Sequence, residues 1–304
     1  MKRFVKLMAI PMVLGACEAD PGGVNTDFGQ TANPAPAEVA GNLAAVNYDP
    51  DAQELILTVD AIHGGERNVS YTRTPALDTA GYEGYMMQKT PADRHYTALF
   101  KESNGGELIA GVVADGGNNN RYFGGGFFAR QGAGIYSAYD HPTDEGEAQY
   151  YGRYAAVTNV DGNGDQLLDA SGIPADLTAP GQADRIRGII LLNADFANGQ
   201  VDAEISNRFM VDDVAAIGQL PNIVLVATEI DENGEFAGST ELLGEPGSPN
   251  GSYAGIFGGA DATAVGGVTY ITDFTPDLEN EEEYGVFVLT RCGAANDDPL
   301  CPGL

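Results

Sequence analysis

The sequence has 304 residues, enough for one large domain or two ordinary ones. Its formal charge is −29, with 44 acidic against 15 basic residues, and a surface this acidic repels nucleic-acid phosphates and anionic membranes. The 41 glycines and 14 tyrosines are typical of a β-rich protein with many turns.

The N-terminal stretch MKRFVKLMAIPMVLGAC has the pattern of an export signal. Three cations precede an apolar run that is too short to span a membrane. Leu14–Cys17 resembles the bacterial lipobox, so we predict removal of residues 1–16 and acylation of Cys17, palmitate included. The alternative is an ordinary signal that is cleaved nearby. Glu18 at the second mature position favours the outer membrane, at its periplasmic face or the cell surface.

The next residues, 17–38, are rich in Pro, Gly, Ala and Asn, which predicts a flexible tether. Residues 39–131 form a β-rich region, because period-two alternation begins there. We predict strands at Glu107–Ala114 and Arg121–Arg130 and a long loop at Gly64–Gly84.

The second half contains three hairpin patterns and a last strand, YGVFVLTRC. Asn198-Gly199 predicts a type I′ turn in the first hairpin, and Glu232–Gly234 marks the turn of the second. With strands at Gly132–Tyr139 and Tyr150–Thr158, the count is eight or nine. Residues 132–292 are therefore predicted to form an eight-stranded antiparallel β-barrel, and the fold class is all-β. A β-sandwich would give much the same periodicity.

The third hairpin pattern, YAGIFGGADATAVGGVTY, is rich in glycine but is no phosphate-binding loop. It lacks the Lys and Ser/Thr of a P-loop, and no helix follows it. We interpret its glycines as positions where barrel strands bend or pack closely.

Two cysteines, Cys292 and Cys301, stand close together near the end of the chain. In an exported protein such a pair most simply forms a disulfide. We therefore predict a small disulfide loop in a C-terminal tail of residues 293–304.

The stretch VDGNGDQLLDASG is a candidate calcium loop. Four side chains with oxygen ligands stand at positions 1, 3, 5 and 9 of the pattern: Asp161, Asn163, Asp165 and Asp169. Gln166 replaces the usual glycine and Gly172 the usual bidentate glutamate. The alternative is a solvated acidic loop between strands.

The sequence has three histidines, at positions 63, 95 and 141. His95 and Tyr96 are candidate ligands for haem or iron, although isolated histidines in β-proteins are usually structural. The motifs G-x-S-x-G, H-E-x-x-H and S-x-x-K are absent, so we expect no enzymatic activity.

The run DLENEEE, at Asp277–Glu283, lies between the last two predicted strands. Its simplest interpretation is a charged loop that keeps the protein soluble and discourages edge pairing. The alternative is a docking segment for a basic partner.

Two stretches resemble the transferrin-binding-protein-like (TbpB-like) surface lipoproteins of bacteria. GIILLNADFANGQVDAEIS is similar to the family's strand–turn–strand, and GSYAGIFGGADATAVGGVTY is similar to its glycine-rich signature. Ala264 departs from that signature, since the family commonly has Glu there. The resemblance implies an eight-stranded barrel preceded by a smaller handle-like β-region.

The expected function is that of a lipid-anchored surface binding protein. A more specific form of this prediction is a role in iron or haem acquisition. The resemblance concerns the barrel, so it does not identify the ligand, which is either a protein or a small solute. A TonB-dependent receptor is a candidate partner. Loops are the expected binding elements, with Gly64–Gly84 and Asp140–Glu147 as candidates. The alternative is an envelope lipoprotein without a soluble ligand.

Overall fold

The computed structural model describes residues 25–26, 35–49, 52–60, 66–117, 121–131, 135–140, 146–174, 181–212, 217–276 and 278–302. The N-terminal sheet consists of β1 (Asn25–Thr26), β2 (Leu43–Asp49), β3 (Glu54–Val59), β4 (Glu66–Arg73), β5 (Glu83–Met87), β6 (Tyr96–Glu102), β7 (Leu108–Asp115) and β8 (Gly124–Arg130). A short helix, α1 (Ala37–Ala40), precedes β2, and a 3-10 turn at Pro75–Leu77 precedes β5.

The second sheet consists of β9 (Glu147–Asp161), β10 (Ala183–Asp195), β11 (Gln200–Met210), β12 (Gln219–Leu220), β13 (Ile223–Glu229), β14 (Glu235–Leu242), β15 (Pro249–Gly258), β16 (Ala264–Thr272) and β17 (Glu282–Thr290). Within the described part of the chain, no helix is long and apolar enough to cross a membrane.

The second sheet closes into a barrel. β10 pairs with β9 on one side and with β11 on the other, so eight strands form a ring, and the short β12 adds to β11 outside it. Closure leaves the long strands without an exposed edge, which an open sandwich would not do. The predicted all-β fold with an eight-stranded antiparallel barrel is confirmed. In the N-terminal sheet, each strand from β2 to β8 pairs antiparallel with the next.

The N-terminal sheet packs against the outer face of β9 and β15–β17. One hydrophobic core combines residues of β6–β8 with Val268, Val286 and Val288 of the barrel. The Tyr82 hydroxyl accepts a hydrogen bond from Val288 N at 2.8 Å and donates to Arg153 O at 3.0 Å. These barrel strands are therefore buried on both faces where the N-terminal sheet covers them, and β16 and β17 are mostly apolar there.

The glycine-rich stretch occupies β15, β16 and the turn between them. A Cβ on Gly255 would lie 2.5 Å from the Phe236 ring, and one on Gly266 would lie 2.6 Å from Leu108 of the N-terminal sheet. Ordinary van der Waals contact needs at least 3.4 Å, so a side chain at either position would displace its neighbour. The interpretation of these glycines as close-packing positions is confirmed.

Three local predictions were wrong. Gly64–Gly84 is no loop over its described residues, since it contains β4, the 3-10 turn and the start of β5. Within Gly132–Tyr139, residues 135–139 form no strand but cross one end of the barrel, where Gly259 N donates to Ile135 O at 3.0 Å. Asn198 does not have the positive φ of a type I′ turn; a four-residue turn is used instead, and the Asp195 carboxylate accepts from its backbone N–H at 2.9 Å.

The two ends of the chain differ in what the structure describes. Cys17 and residues 1–16 lie outside the described residues, as does most of the predicted tether. At the other end, Cys292 and Cys301 form a disulfide with their Cα atoms 5.5 Å apart. The bridged segment lies against β9, since Cys292 N donates to Gln149 O at 2.8 Å.

Candidate binding cleft

The barrel interior is filled with side chains. Its large wholly buried aromatic side chains are Tyr150, Tyr154, Tyr253, Phe257 and Phe274. A barrel of eight strands has an interior just wide enough for such packing. A ligand site in the described part of the protein is therefore to be sought on the outside of the barrel.

A cleft of about 620 Å³ lies on that outside, where the N-terminal sheet meets the barrel. Three segments form its walls: the β7–β8 connection with Gly117, Arg121 and Tyr122, the end of β9 at Asn159 and Val160, and the β16–β17 connection. We call the last wall, Leu278–Glu282, the acidic segment. The volume is in the range of small-ligand sites, and it would also accept one long side chain of a protein partner.

Asp115, the last residue of β7, shapes the first wall. Its Oδ1 atom accepts from Gly117 N and from Phe123 N, both at 3.1 Å. The Arg94 guanidinium donates to the same carboxylate and to Arg121 O. Burial raises the pKa of Asp115, while these donors favour its charged form. The connection is thus held at both ends by one buried carboxylate.

Asn159 fixes the acidic segment to the barrel. Its Nδ2 atom donates to Asn280 O at 2.9 Å, and its Oδ1 atom accepts from Glu282 N at 2.9 Å. Thr158 Oγ1 donates to Glu282 O at 2.7 Å. One amide side chain therefore replaces the strand pairing that the backbone loses where β17 begins.

Three tyrosines lie beside these walls. The Tyr122 ring centroid is 5.7 Å from that of Tyr284, which is 4.9 Å from that of Tyr270. Tyr270 donates from its hydroxyl to Glu282 Oε2 at 2.6 Å, and Tyr122 donates to Val157 O at 3.1 Å. Burial raises the pKa of Tyr122 and of Tyr284, so both stay neutral and serve as apolar surface.

The cleft carries more negative than positive charge. Glu279 is exposed on the rim and Glu282 is partly buried, while Arg121 is the cation among the described residues that line the cleft. The solvated-loop interpretation of DLENEEE is wrong for its C-terminal part. Glu281 is 2% exposed, and Glu283 lies in β17 wholly inside the barrel. Strand alternation turns Glu283 inward, where Arg208 neutralises it.

The candidate calcium residues lie at the exposed end of β9 and on the loop that follows it. Asn163 Nδ2 donates to Asp165 Oδ2 at 3.0 Å, and Asp165 N donates to Asn163 Oδ1 at 3.0 Å. Asp169 accepts from the hydroxyl and the N–H of Ser171, which lowers its pKa. Among the described residues, no three His, Cys, Asp or Glu side chains are grouped as metal ligands. Calcium binding at Asp161, with these neighbours, stays a prediction.

The candidate haem ligands are buried. His95 and Tyr96 are 0% and 2% exposed, and burial lowers the pKa of His95 to about 4. Histidines 63 and 141 lie outside the described residues, as does most of the candidate loop Asp140–Glu147. Haem binding stays a prediction that would require the N-terminal sheet to open.

Most of the cleft carried no sequence signal. Tyr122 and Asn159 are ordinary residues at strand ends, and Arg121 was placed inside a strand that in fact begins at Gly124. The acidic segment was visible as a charge run. Its neighbours come from segments far apart in the chain, and only the tertiary fold brings them together.

Solved structures similar to this chain include transferrin-binding proteins. Intact Ap-TbpB, which has N and C lobes, matches with a TM-score of 0.37 and 12% identity over 80% of this chain and 53% of its own. A double mutant of the vaccine antigen TbpB from Haemophilus parasuis Hp5 gives 0.38 and 12%, over 80% and 52%. Isotype 1 TbpB from serogroup B Neisseria meningitidis gives 0.34 and 12%, over 80% and 51%.

The chain thus spans about half the length of these three structures. These are proteins of the family that the sequence motifs resemble, so that resemblance is confirmed as a likeness of fold. TM-scores below 0.5 and identities near 12% carry no argument about ligand or partner. No protein-family model and no curated protein matches the sequence.

Proposed function

We propose that this chain is a lipid-anchored binding protein of the outer membrane, and that its cleft receives a positively charged segment of a protein partner. The observation that carries the proposal is the cleft itself. It combines a volume of about 620 Å³ with carboxylates at Glu279 and Glu282 and with neutral tyrosine surface.

The chemistry favours a cation on a long apolar stem. A lysine or arginine side chain that enters the cleft would place its stem against Tyr122 and its charge near the acidic segment. Tyrosine faces attract cations, and such contacts contribute about 0.5–2 kcal/mol. A net charge of −29 adds long-range attraction, which speeds association and weakens with salt.

Fluorescence anisotropy with a labelled oligolysine peptide tests this proposal. A protein this acidic attracts the peptide over its whole surface. Matched variants therefore have to distinguish binding in the cleft from binding to the acidic surface in general. We expect Glu279→Gln and Glu282→Gln each to weaken binding about fivefold, in line with about 1 kcal/mol per exposed charge pair. Arg121→Gln is expected to strengthen it, because it removes a cation from the cleft.

Glu232→Gln is the control, because Glu232 is an exposed carboxylate at the β13–β14 turn, outside the cleft. If it weakens binding as much as Glu279→Gln does, the peptide recognises net charge and the cleft proposal is overturned. The same peptide with acetylated lysines should bind neither the wild type nor the variants. Binding that survives acetylation would also contradict the cleft proposal.

The narrower version, a role in haem or iron acquisition, follows from the resemblance to the family. Its test is a hemin titration followed in the Soret band. Because His95 and Tyr96 are buried, we expect no shift of the band. A saturable shift that is lost in His95→Ala would instead establish haem binding and require an open form of the N-terminal sheet.

A further inference from the structure

Three charged residues are buried together at the rim of the barrel, next to the N-terminal sheet. Asp184 is 0% exposed, and the side chains of Arg185 and Asp212 are each 5% exposed. Asp184 Oδ1 accepts from Arg185 N at 2.5 Å and from Asp212 N at 3.0 Å. Arg185 Nη2 donates to Asp212 Oδ1 at 2.8 Å.

The charges in this group do not balance. Two carboxylates face one guanidinium, and the Oδ2 atoms of Asp184 and Asp212 are both buried with no hydrogen-bond partner among the described residues. Leaving a buried carboxylate oxygen unpaired is costly, because water solvates it in the unfolded chain. One further positive charge, such as a proton, would compensate the excess.

The group also joins two parts of the fold. Arg185 Nη1 donates to Ala76 O at 3.2 Å and lies 3.4 Å from Thr79 Oγ1, both in the connection between β4 and β5 of the N-terminal sheet. Two further carboxylates belong to the neighbouring segments. Asp78, on the same turn as Ala76, interacts electrostatically with Arg185. Asp161, at the end of β9, is exposed to solvent.

Asp184 occupies an irregularity in the barrel. The β9–β10 register shifts between Ala183 and Arg185, so residues 158–160 of β9 stand opposite Asp184 alone. Two of those three residues, Asn159 and Val160, line the binding cleft on the outside. Such bulges are common next to functional sites, where they redirect side chains.

We propose that Asp184, Arg185 and Asp212 form a proton-binding latch. Uptake of one proton by Asp184, beside the Asp212 carboxylate, fastens the barrel to the Ala76–Thr79 segment, and loss of that proton loosens it. The latch rests on this geometry and does not depend on which ligand the cleft takes.

The sign follows from the direction of the pKa shift. Burial raises the pKa of Asp184 from 3.8 to about 6, and the nearby Asp212 carboxylate adds to the rise. Between these values the folded protein holds a proton that the unfolded chain has lost. The stability from this group is therefore fully present below pH 3.8 and is lost as the pH rises through about 6.

Urea unfolding of the whole chain between pH 4.5 and 7.5 tests the latch with Asp184→Asn. The amide keeps one acceptor and places a donor where Oδ2 lies, so it mimics the protonated carboxyl. The wild-type unfolding constant, divided by that of the variant, is expected to rise roughly twentyfold over this range. Asp202→Asn, an exposed position on β11, is the control and should leave this ratio unchanged.

A change of less than threefold in the Asp184→Asn comparison overturns the latch, and so does an equal change in the control. Hydrogen exchange of wild-type protein gives a second readout that needs no variant. After correction for intrinsic rates, amide protection at residues 76–79 should fall by a larger factor between pH 5 and 7.5 than protection in β14, which changes only with global stability. Equal behaviour of the two segments would contradict the proposal.

Discussion

Glu283 and Arg208 form an ion pair that is wholly buried inside the barrel. Tyr154 donates from its hydroxyl to Glu283 Oε1 at 2.5 Å, and Arg208 donates to Pro221 O at 2.7 Å and stacks on Phe274. The pair therefore has partners on several sides, and removing either charge would leave the other without compensation. We predict that Glu283→Gln strongly destabilises the protein.

The magnitude follows from burial. Both side chains are 0% exposed, so water cannot solvate Arg208 once the carboxylate is gone. Breaking a buried pair from one side costs about 3–5 kcal/mol. Gln retains the shape and an acceptor for Tyr154, so the loss reports charge rather than a cavity. Replacing both partners, Arg208→Met with Glu283→Leu, should cost less than the single change.

Far-UV circular dichroism under urea is the appropriate assay, because the chain has no tryptophan. Free energies of unfolding for the wild type, Arg208→Met, Glu283→Leu and the double variant form a cycle. A loss below about 1 kcal/mol for Glu283→Gln would refute the reasoning. A double variant worse than the sum of the singles would refute it too.

Three further predictions concern a close-packed glycine, the disulfide and the candidate calcium loop. Gly285→Ala should cost about 3 kcal/mol or prevent folding, because its Cβ would overlap the Tyr154 hydroxyl; urea unfolding measures this, and a neutral result would contradict the packing. Replacing Cys292 and Cys301 by Ser should lower the free energy of unfolding by up to about 3 kcal/mol, the entropy of a loop of about ten residues, and an equal loss in reduced wild type is the check. If the loop after β9 binds calcium, the midpoint of thermal unfolding is higher in calcium than in a chelator, and Asp165→Asn removes this difference. An unchanged midpoint contradicts the site.

Local pattern was enough for most of the barrel. Val201, Ala203 and Ile205 alternate with polar residues and are buried on β11, as period two requires. The turn at Glu232–Gly234 lies where predicted, with φ +74° at Gly234. These features depend on neighbours within a few residues, and sequence records such neighbours directly.

The sequence by itself determined the all-β class, the strand alternation and the close packing of the glycine-rich strands. Ring closure, the burial of Glu283 and the cleft were decided by tertiary structure. Asn159 and Asn280 are 121 residues apart, yet one hydrogen bond joins them. Each of these features depends on which distant strands pair and which faces the N-terminal sheet covers. Periodicity fixes the two faces of a strand, but the partner on each face is chosen by packing of the whole chain.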